Sequence, residues 1–131
     1  MKTLLKRKDI LFPKLSYEVV GSAFDVYNEI GPGHLEKHYQ GALAISFRSK
    51  GFNVKEQLYC PVTFMGKMIG KRLLDFLIDD AVVVEIKKGN RFSKSHIDQV
   101  LDYLKINNLK LAILVNFGSD GVLFKRVVNF N

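Results

Sequence analysis

The sequence predicts an α/β sandwich built on a mixed sheet. Three observations carry that prediction. Apolar residues recur at helical spacing through the first part of the chain, ending in glycine- and proline-rich breaks. A run of strand-like segments then extends from Asn53 to Lys87. Last come one more amphipathic helix, the nearly continuous apolar stretch "LAILVNF" and a closing strand. Helices, strands, a helix and strands again, in the order α-α-β-β-β-β-α-β-β, is the pattern of helices flanking a mixed central sheet.

Each element has its own cause. From Ser16 to Ile30, apolar positions at Val20, Ala23, Phe24, Tyr27 and Ile30 share one helical face, and "GPG" at Gly31–Gly33 ends the helix. A second helix is expected from about Leu35 to Lys50, with Gly51 as its stop. Strands are expected at Asn53–Tyr59, Val62–Phe64, Ile69–Ile78 and Val82–Lys87, with "MGK" at Met65–Lys67 as a hairpin turn. Cys60 and Pro61 fall in a strand or bend, Cys60 as a small buried residue. "SKSHIDQVLDYLKINN" reads as a third helix with Ile97, Val100, Leu101 and Leu104 buried, and Ser95 with Asp98 resembles a capping box. "LAILVNF" is expected to be a central strand, and "GSDG" turns the chain into "VLFKRVVNF".

Composition narrows the function. A chain of 131 residues, 47% hydrophobic and 25% charged, reads as one globular domain over residues 1–131. No apolar run approaches the roughly 20 residues that span a bilayer, so no membrane role is expected. The basic start "MKTLLKRKDILFPK" has apolar stretches too short for a signal peptide. A single cysteine excludes an internal disulfide and an all-cysteine metal site, and a reducing cytoplasm is the simple expectation. Lysine and arginine outnumber aspartate and glutamate by 20 to 13, a net +7 that favours a polyanionic partner such as nucleic acid. "GSDG" lacks the lysine of a phosphate-binding loop. His34 and His38 stand four apart, but "HLEKH" places its glutamate one position late for a zinc-protease helix and offers no third ligand.

The chemistry concentrates in "LLDFLIDDAVVVEIKK", Leu73–Lys88, where Asp75, Glu85 and Lys87 interrupt two apolar strands. Buried charges are costly unless paired. Side chains alternate along a strand, so Glu85 and Lys87 share a face. Two carboxylates ~4 Å apart repel by about 4 kcal/mol at an effective dielectric near ~20. A hard divalent cation such as Mg²⁺ removes that conflict, and Lys87 beside it suits activation of water and stabilisation of charge on a phosphate. The plainer alternative is a solvated acid at a strand edge. Convergence also constrains the turn. A two-residue loop would put Asp75 opposite Val84 and send Glu85 to the wrong face, so an odd loop such as Asp79-Asp80-Ala81, or a bulge, is expected.

Asp75 followed by Glu85-Ile86-Lys87 resembles the PD-(D/E)xK nuclease superfamily, whose fold is restriction-endonuclease-like. "GHLEKHY", Gly33–Tyr39, matches the Gly-x-x-Glu-x-x-Tyr signature of the GxxExxY family within it. With "GPG", "GALA", "VVEIKK" and "LVNFG", the resemblance covers nearly the whole chain after about residue 16. Leu74 stands where the superfamily often has proline.

The resemblance implies a metal-dependent hydrolase of phosphodiester bonds, with DNA a better expectation than RNA. It implies Mg²⁺ or Mn²⁺ held by Asp75, Glu85 and the Ile86 carbonyl, with Glu36 as the auxiliary acid of the RecB-like branch and Lys87 as catalytic lysine. Glu36 also suits the first turn of a helix on its own account, with Tyr39 beside it as a core residue. Gln99 and Tyr103 resemble the Gln-x-x-x-Tyr motif of the same branch, as nucleic-acid contacts or as a plain helix pair. Lys88, Arg91, Lys94 and His96 are candidate contacts to a nucleic-acid backbone, or a solvated basic loop. The rival function is a binding module that keeps the fold without turnover. A domain this small has little room to read sequence, so specificity is expected from a partner, a homo-oligomer or the structure of the DNA.

Overall fold

The computed structural model describes residues 12–130; the basic stretch 1–11 and residue 131 lie outside them. Two helices open the fold: α1 (Pro13–Ile30) and α2 (Glu36–Ser49). Three antiparallel strands follow, β1 (Val54–Phe64), β2 (Lys67–Ile78) and β3 (Val82–Lys88). Helix α3 (Lys94–Ile106) then crosses to β4 (Leu111–Phe117), which runs parallel to β3, and β5 (Val122–Val128) returns antiparallel. The sheet order is β1-β2-β3-β4-β5. This is the mixed α/β sandwich that the sequence predicts.

Local chemistry sets the boundaries. Pro13 opens α1, where its missing N–H costs nothing. Gly31, at φ 77, ends α1 and donates its N–H to the Tyr27 carbonyl. The cap of α3 is Ser93, whose Oγ accepts from His96 N at 3.1 Å. The expected box is therefore displaced: Ser95 touches Ser93, and Asp98 pairs with Lys94 at 2.9 Å. The segments expected as two strands around Cys60-Pro61 form one, because β1 lies at the sheet edge and an edge strand tolerates proline. The interruption survives as an irregular register between Val62 and Thr63.

Two cores sandwich the sheet. Under α1 and α2 lie Val19, Leu43, Phe47, Phe76, Ile78, Val84, Ile86, Ile113 and Val115. Under α3 lie Leu58, Cys60, Leu74, Val83, Ala112 and Leu114, with Val100, Tyr103 and Leu104 from the helix. Every residue of β4 is buried, as its apolar run requires of a central strand covered on both faces. Each large aliphatic or aromatic side chain so buried contributes about 1.5–3 kcal/mol.

The β4–β5 turn packs against the loop after β3. Gly89 donates to Phe117 O, and Asn90 Oδ1 accepts from Ser119 N at 3.1 Å. A Cβ on Gly118 would collide with the Asn90 side chain and lie 3.2 Å from Gly121 O and 3.3 Å from Gly89 O. Backbone on two sides cannot move aside. Gly118→Ala should therefore lower stability by about 1–3 kcal/mol, measured by chemical denaturation. A variant as stable as the wild type would show that the turn is not packed this way.

Candidate active site

The site forms where the sheet divides. Strand β2 pairs with β3 only through Phe76–Val84, Leu77–Val83 and Ile78–Val82, while β1 and β2 stay paired from Val54–Ile78 to Phe64–Lys67. Beyond Phe76 the β1–β2 ribbon leaves β3, which continues beside β4 to Lys88. Asp75 and Glu85 flank the crotch of this fork. The loop between the strands is Asp79-Asp80-Ala81, the odd length that places Asp75 across from Glu85. Asp79 and Asp80 sit at φ 53 and 55, and Ala81 N donates to Ile78 O, so the turn is tight and Ala81 is the extra residue. Asp79 also exchanges bonds with the Asn53 backbone, accepting at 2.8 Å and donating at 2.9 Å.

A forked strand leaves backbone amides without partners, and those amides need acceptors. Asp75 Oδ2 accepts from Ile86 N at 2.8 Å. Glu36 Oε2 accepts from Lys88 N at 3.2 Å. Glu85 Oε1 accepts from Asp75 N at 2.8 Å across the crotch. Three acids from three elements thus converge on the last residues of β3. The second Glu85 oxygen lies 3.1 Å from His96 Nε2, on the first turn of α3.

Asp75 registers the crowding. Its carboxyl is pushed up to about 8, first by burial, then by the charge of Glu85, a hydrogen bond shared with it, and the charge of Glu36; the Ile86 N–H pulls the other way. Glu85 is 6% exposed and the charge beside it is negative, so the donor set is hard, oxygen-rich and short of a cation. That chemistry fits Mg²⁺ or Mn²⁺. Among the described residues, no three His, Cys, Asp or Glu side chains stand ready-placed around a metal position. The carboxylates are engaged with backbone amides instead.

The remaining candidates divide into two groups. Lys87, Lys88, Arg91, His96 and Gln99 line one open groove of ≈ 360 Å³, with buried Asn116 holding the loop through a 2.6 Å bond to Arg91 O. Lys94 is exposed at the helix start, paired with Asp98. Tyr39 and Tyr103, by contrast, are in the cores, 1% and 8% exposed, and present no surface to a nucleic acid. Tyr39 stacks on Phe117 with centroids 4.1 Å apart, and its hydroxyl donates to Gly31 O at 2.7 Å. It thereby pins the α1–α2 turn, where Gly33 lies at φ 87, and fixes the start of α2 that carries Glu36. His34 belongs to the same turn: its Nε2 lies 2.7 Å from Ile30 O and not on a metal position. The contact of His96 with Glu85 was not legible beforehand, since no local spacing links α3 to β3; only its place on the first turn after the Glu-x-Lys strand hinted at it.

A model of the PD-(D/E)XK nuclease superfamily matches residues 13–127, the span that carries both cores and every acid of the fork. The chain belongs to that superfamily. No curated protein matches it. Among solved structures, the crystal structure of SSO0001 superposes with a TM-score of 0.50 at 18% identity, covering 90% of this chain and 57% of that one. An alkaline exonuclease (LHK-Exo) from Laribacter hongkongensis gives 0.47 at 14% identity, covering 95% of this chain and 73% of its own. This chain spans little more than half the length of SSO0001, and the likeness is one of fold.

In this member of the superfamily the Asp75 proton couples folding to pH. Its carboxyl lies at about 8 in the fold against 3.8 for a free aspartate side chain, so the folded state holds an extra proton between those values. The stability linked to that proton is complete below the unfolded pKa and is lost as pH rises through about 8. With a chelator present, Tm should fall between about pH 5 and pH 8.5, and Asp75→Asn, which keeps an acceptor for Ile86 N–H, should flatten the fall. A wild type and a variant with parallel Tm profiles would show that Asp75 does not carry the proton.

Proposed function

We propose that the chain is a metal-dependent nuclease that hydrolyses phosphodiester bonds of DNA. The observation that carries the proposal is Asp75 opposite Glu85 at the crotch of the fork, with Lys87 two residues further on and Glu36 reaching the same strand end. Asp75, Glu85, Glu36 and the Ile86 carbonyl are the groups assigned to hold Mg²⁺ or Mn²⁺. The cation, when bound, neutralises the acids and supplies an acidified water and an electrophile for the phosphate. Lys87 is exposed on the face it shares with Glu85, where its ammonium can orient the attacking water and balance charge on the phosphate oxygens. His96 holds the Glu85 carboxylate in place. Lys88, Arg91, Lys94 and Gln99 are assigned to the substrate backbone; Tyr39 and Tyr103 act as core residues that set α2 and α3.

Assignment to the GxxExxY family and the RecB-like branch is supported by Gly33 and Tyr39, which shape the α1–α2 turn, and by Glu36, which reaches from the start of α2 to the end of β3. We place the protein in a reducing cytoplasm on its free, buried Cys60. Among the described residues, no helix is long and apolar enough to cross a membrane. A second reading, a nucleic-acid-binding module without turnover, draws on the bonds that tie the carboxylates to backbone amides.

Labelled DNA and RNA, single-stranded and duplex, incubated with Mg²⁺ or Mn²⁺ decide between the two. Cleavage of DNA should need the cation and vanish in Asp75→Ala. Mn²⁺ should raise Tm of the wild type but not of Asp75→Ala. Lys87→Ala should keep that Tm rise and lose at least about a hundred-fold in cleavage rate. Cleavage at the wild-type rate by Lys87→Ala would remove the lysine from the chemistry, and no cleavage of any substrate by the wild type would favour the binding module.

A further inference from the structure

The half of the β1–β2 ribbon that leaves the sheet has an unusual surface. Residues Gln57–Leu74 contain no aspartate or glutamate and three cations, Lys67, Lys71 and Arg72. The same stretch carries six of the fifteen large hydrophobic side chains exposed among the described residues: Tyr59, Phe64, Met65, Met68, Ile69 and Leu73. Tyr59 is 50% exposed and Phe64 64%. One side of the ribbon base is spent on α3, where Leu58, Cys60 and Leu74 are buried. By alternation, Tyr59 and, on β2, Leu73, Lys71 and Ile69 occupy the other side. Lys71 Nζ stands 5.8 Å from the Tyr59 ring centroid, and the Tyr59 hydroxyl donates to Met68 Sδ at 2.8 Å. The Tyr59 ring on β1 is thus held with a cation over it, and that cation stands on β2, the strand that leads into Asp75.

A second copy of the chain is a poor occupant for this surface. The outer edge of β1 is broken by Pro61, which has no N–H, by the irregular register at Val62–Thr63 and by Gln57 at φ 57. A like copy would also bring the same three positive charges. A polyanion with flat apolar groups meets both halves of the surface: a phosphate at Lys71 and an unpaired base on Tyr59 along this side, and a further phosphate and base at Lys67 and Phe64, which pair at the tip of the ribbon. Paired bases keep their faces inside the duplex and offer the rings nothing to stack on.

We propose that the ribbon is an arm that binds a single-stranded segment of nucleic acid and feeds it to the fork. This deepens, and rests on, the nuclease reading of Asp75 and Glu85. At about 3.4 Å per residue, Lys71 stands ~14 Å and Lys67 ~27 Å from Asp75 along the strand. The arm therefore engages nucleotides several positions from the scissile bond, and an oligonucleotide must be long enough to reach it.

The test is anisotropy of labelled DNA in the presence of a chelator, so that binding is read without turnover. For a single strand of about 16 nucleotides, Tyr59→Ala should weaken binding about five-fold or more, while Tyr59→Phe, which keeps the ring, retains it. The Lys67→Ala/Lys71→Ala double variant should lower the slope of log affinity against log salt by about 1.4. A strand of about four nucleotides, and a duplex of the longer length, should be affected much less. Equal losses on single strand and duplex, or none on either, would overturn the proposal. So would a wild-type dimer in sedimentation that Ile69→Ser converts to monomer, since a second copy would then cover the arm. Hydrolysis of bis(4-nitrophenyl) phosphate with Mn²⁺, a substrate too small to touch the arm, reports the fork separately. Arm variants that hydrolyse it normally yet lose the long strand support the arm. A wild type that fails to hydrolyse it while Tyr59→Ala still loses the strand would sink the nuclease reading and leave the arm standing.

Discussion

The parting of β2 from β3 is the constraint around which the molecule is organised. An antiparallel ladder that stops midway strands the amides of Ile86, buried in a central strand, and of Lys88, at that strand's exposed end. Backbone donors in that position must be satisfied, and an unsatisfied one costs about 1–3 kcal/mol. Carboxylates from Asp75 and Glu36 take the two amides, and Glu85 takes the amide of Asp75 in return. The acids are thus held by the fold's own hydrogen-bond deficit. That deficit also brings negative charges together, which the raised Asp75 carboxyl records.

The two cores aim the fork. Tyr39, stacked on Phe117 and bonded to Gly31 O, ties α2 to the end of β4 and so delivers Glu36 to Lys88. On the other face, Val100, Tyr103 and Leu104 clamp α3 to the sheet, and the Ser93 cap fixes its first turn, where His96 meets Glu85. Neither tyrosine reaches a substrate. Both pack a helix whose N-terminal turn carries a residue of the site, and Tyr39 in addition anchors its hydroxyl on Gly31 O.

Much of this was legible in the sequence, for reasons that can be traced. The apolar run of β4 announced a strand buried on both faces, and parity required an odd loop or a bulge between Asp75 and Glu85, of which Asp79-Asp80-Ala81 supplies the odd loop. Parity works because a strand's period is fixed. Helical spacing is less decisive: Tyr39 and Tyr103 sit on faces that border both core and surface, and only the packing of Phe117 and Leu104 shows which side they take. Pro61 suggested a break between two strands, but an edge strand needs only one side of its ladder and absorbs the residue. The capping box was misplaced by two positions because Ser93 and Ser95 are equally good caps by type, and the geometry of the preceding loop chooses between them. Bonds such as His96 to Glu85 join distant segments and have no local signature.

The fork itself has a cost that the chain carries in an ordinary residue. Gln57 adopts φ 57 in β1, level with Asp75 in β2, between the pairs Glu56–Phe76 and Leu58–Leu74. A left-handed conformation at a non-glycine residue costs about 1–3 kcal/mol and persists only where surrounding structure imposes it. Here the two strands exchange faces at that level: Phe76 and Ile78 enter the core under α1 and α2, whereas Leu58 and Leu74 enter the core under α3. Without the exchange, Leu74 would follow Phe76 onto the other face and the ribbon would have no anchor against α3. Burial of Leu58, Cys60 and Leu74 outweighs the strain at Gln57, at about 1.5–3 kcal/mol for each leucine. At the same level the Asp75 carboxylate accepts from the Ile86 amide at 2.8 Å. Strain in β1, anchoring of the ribbon and the placement of the acid are one deformation.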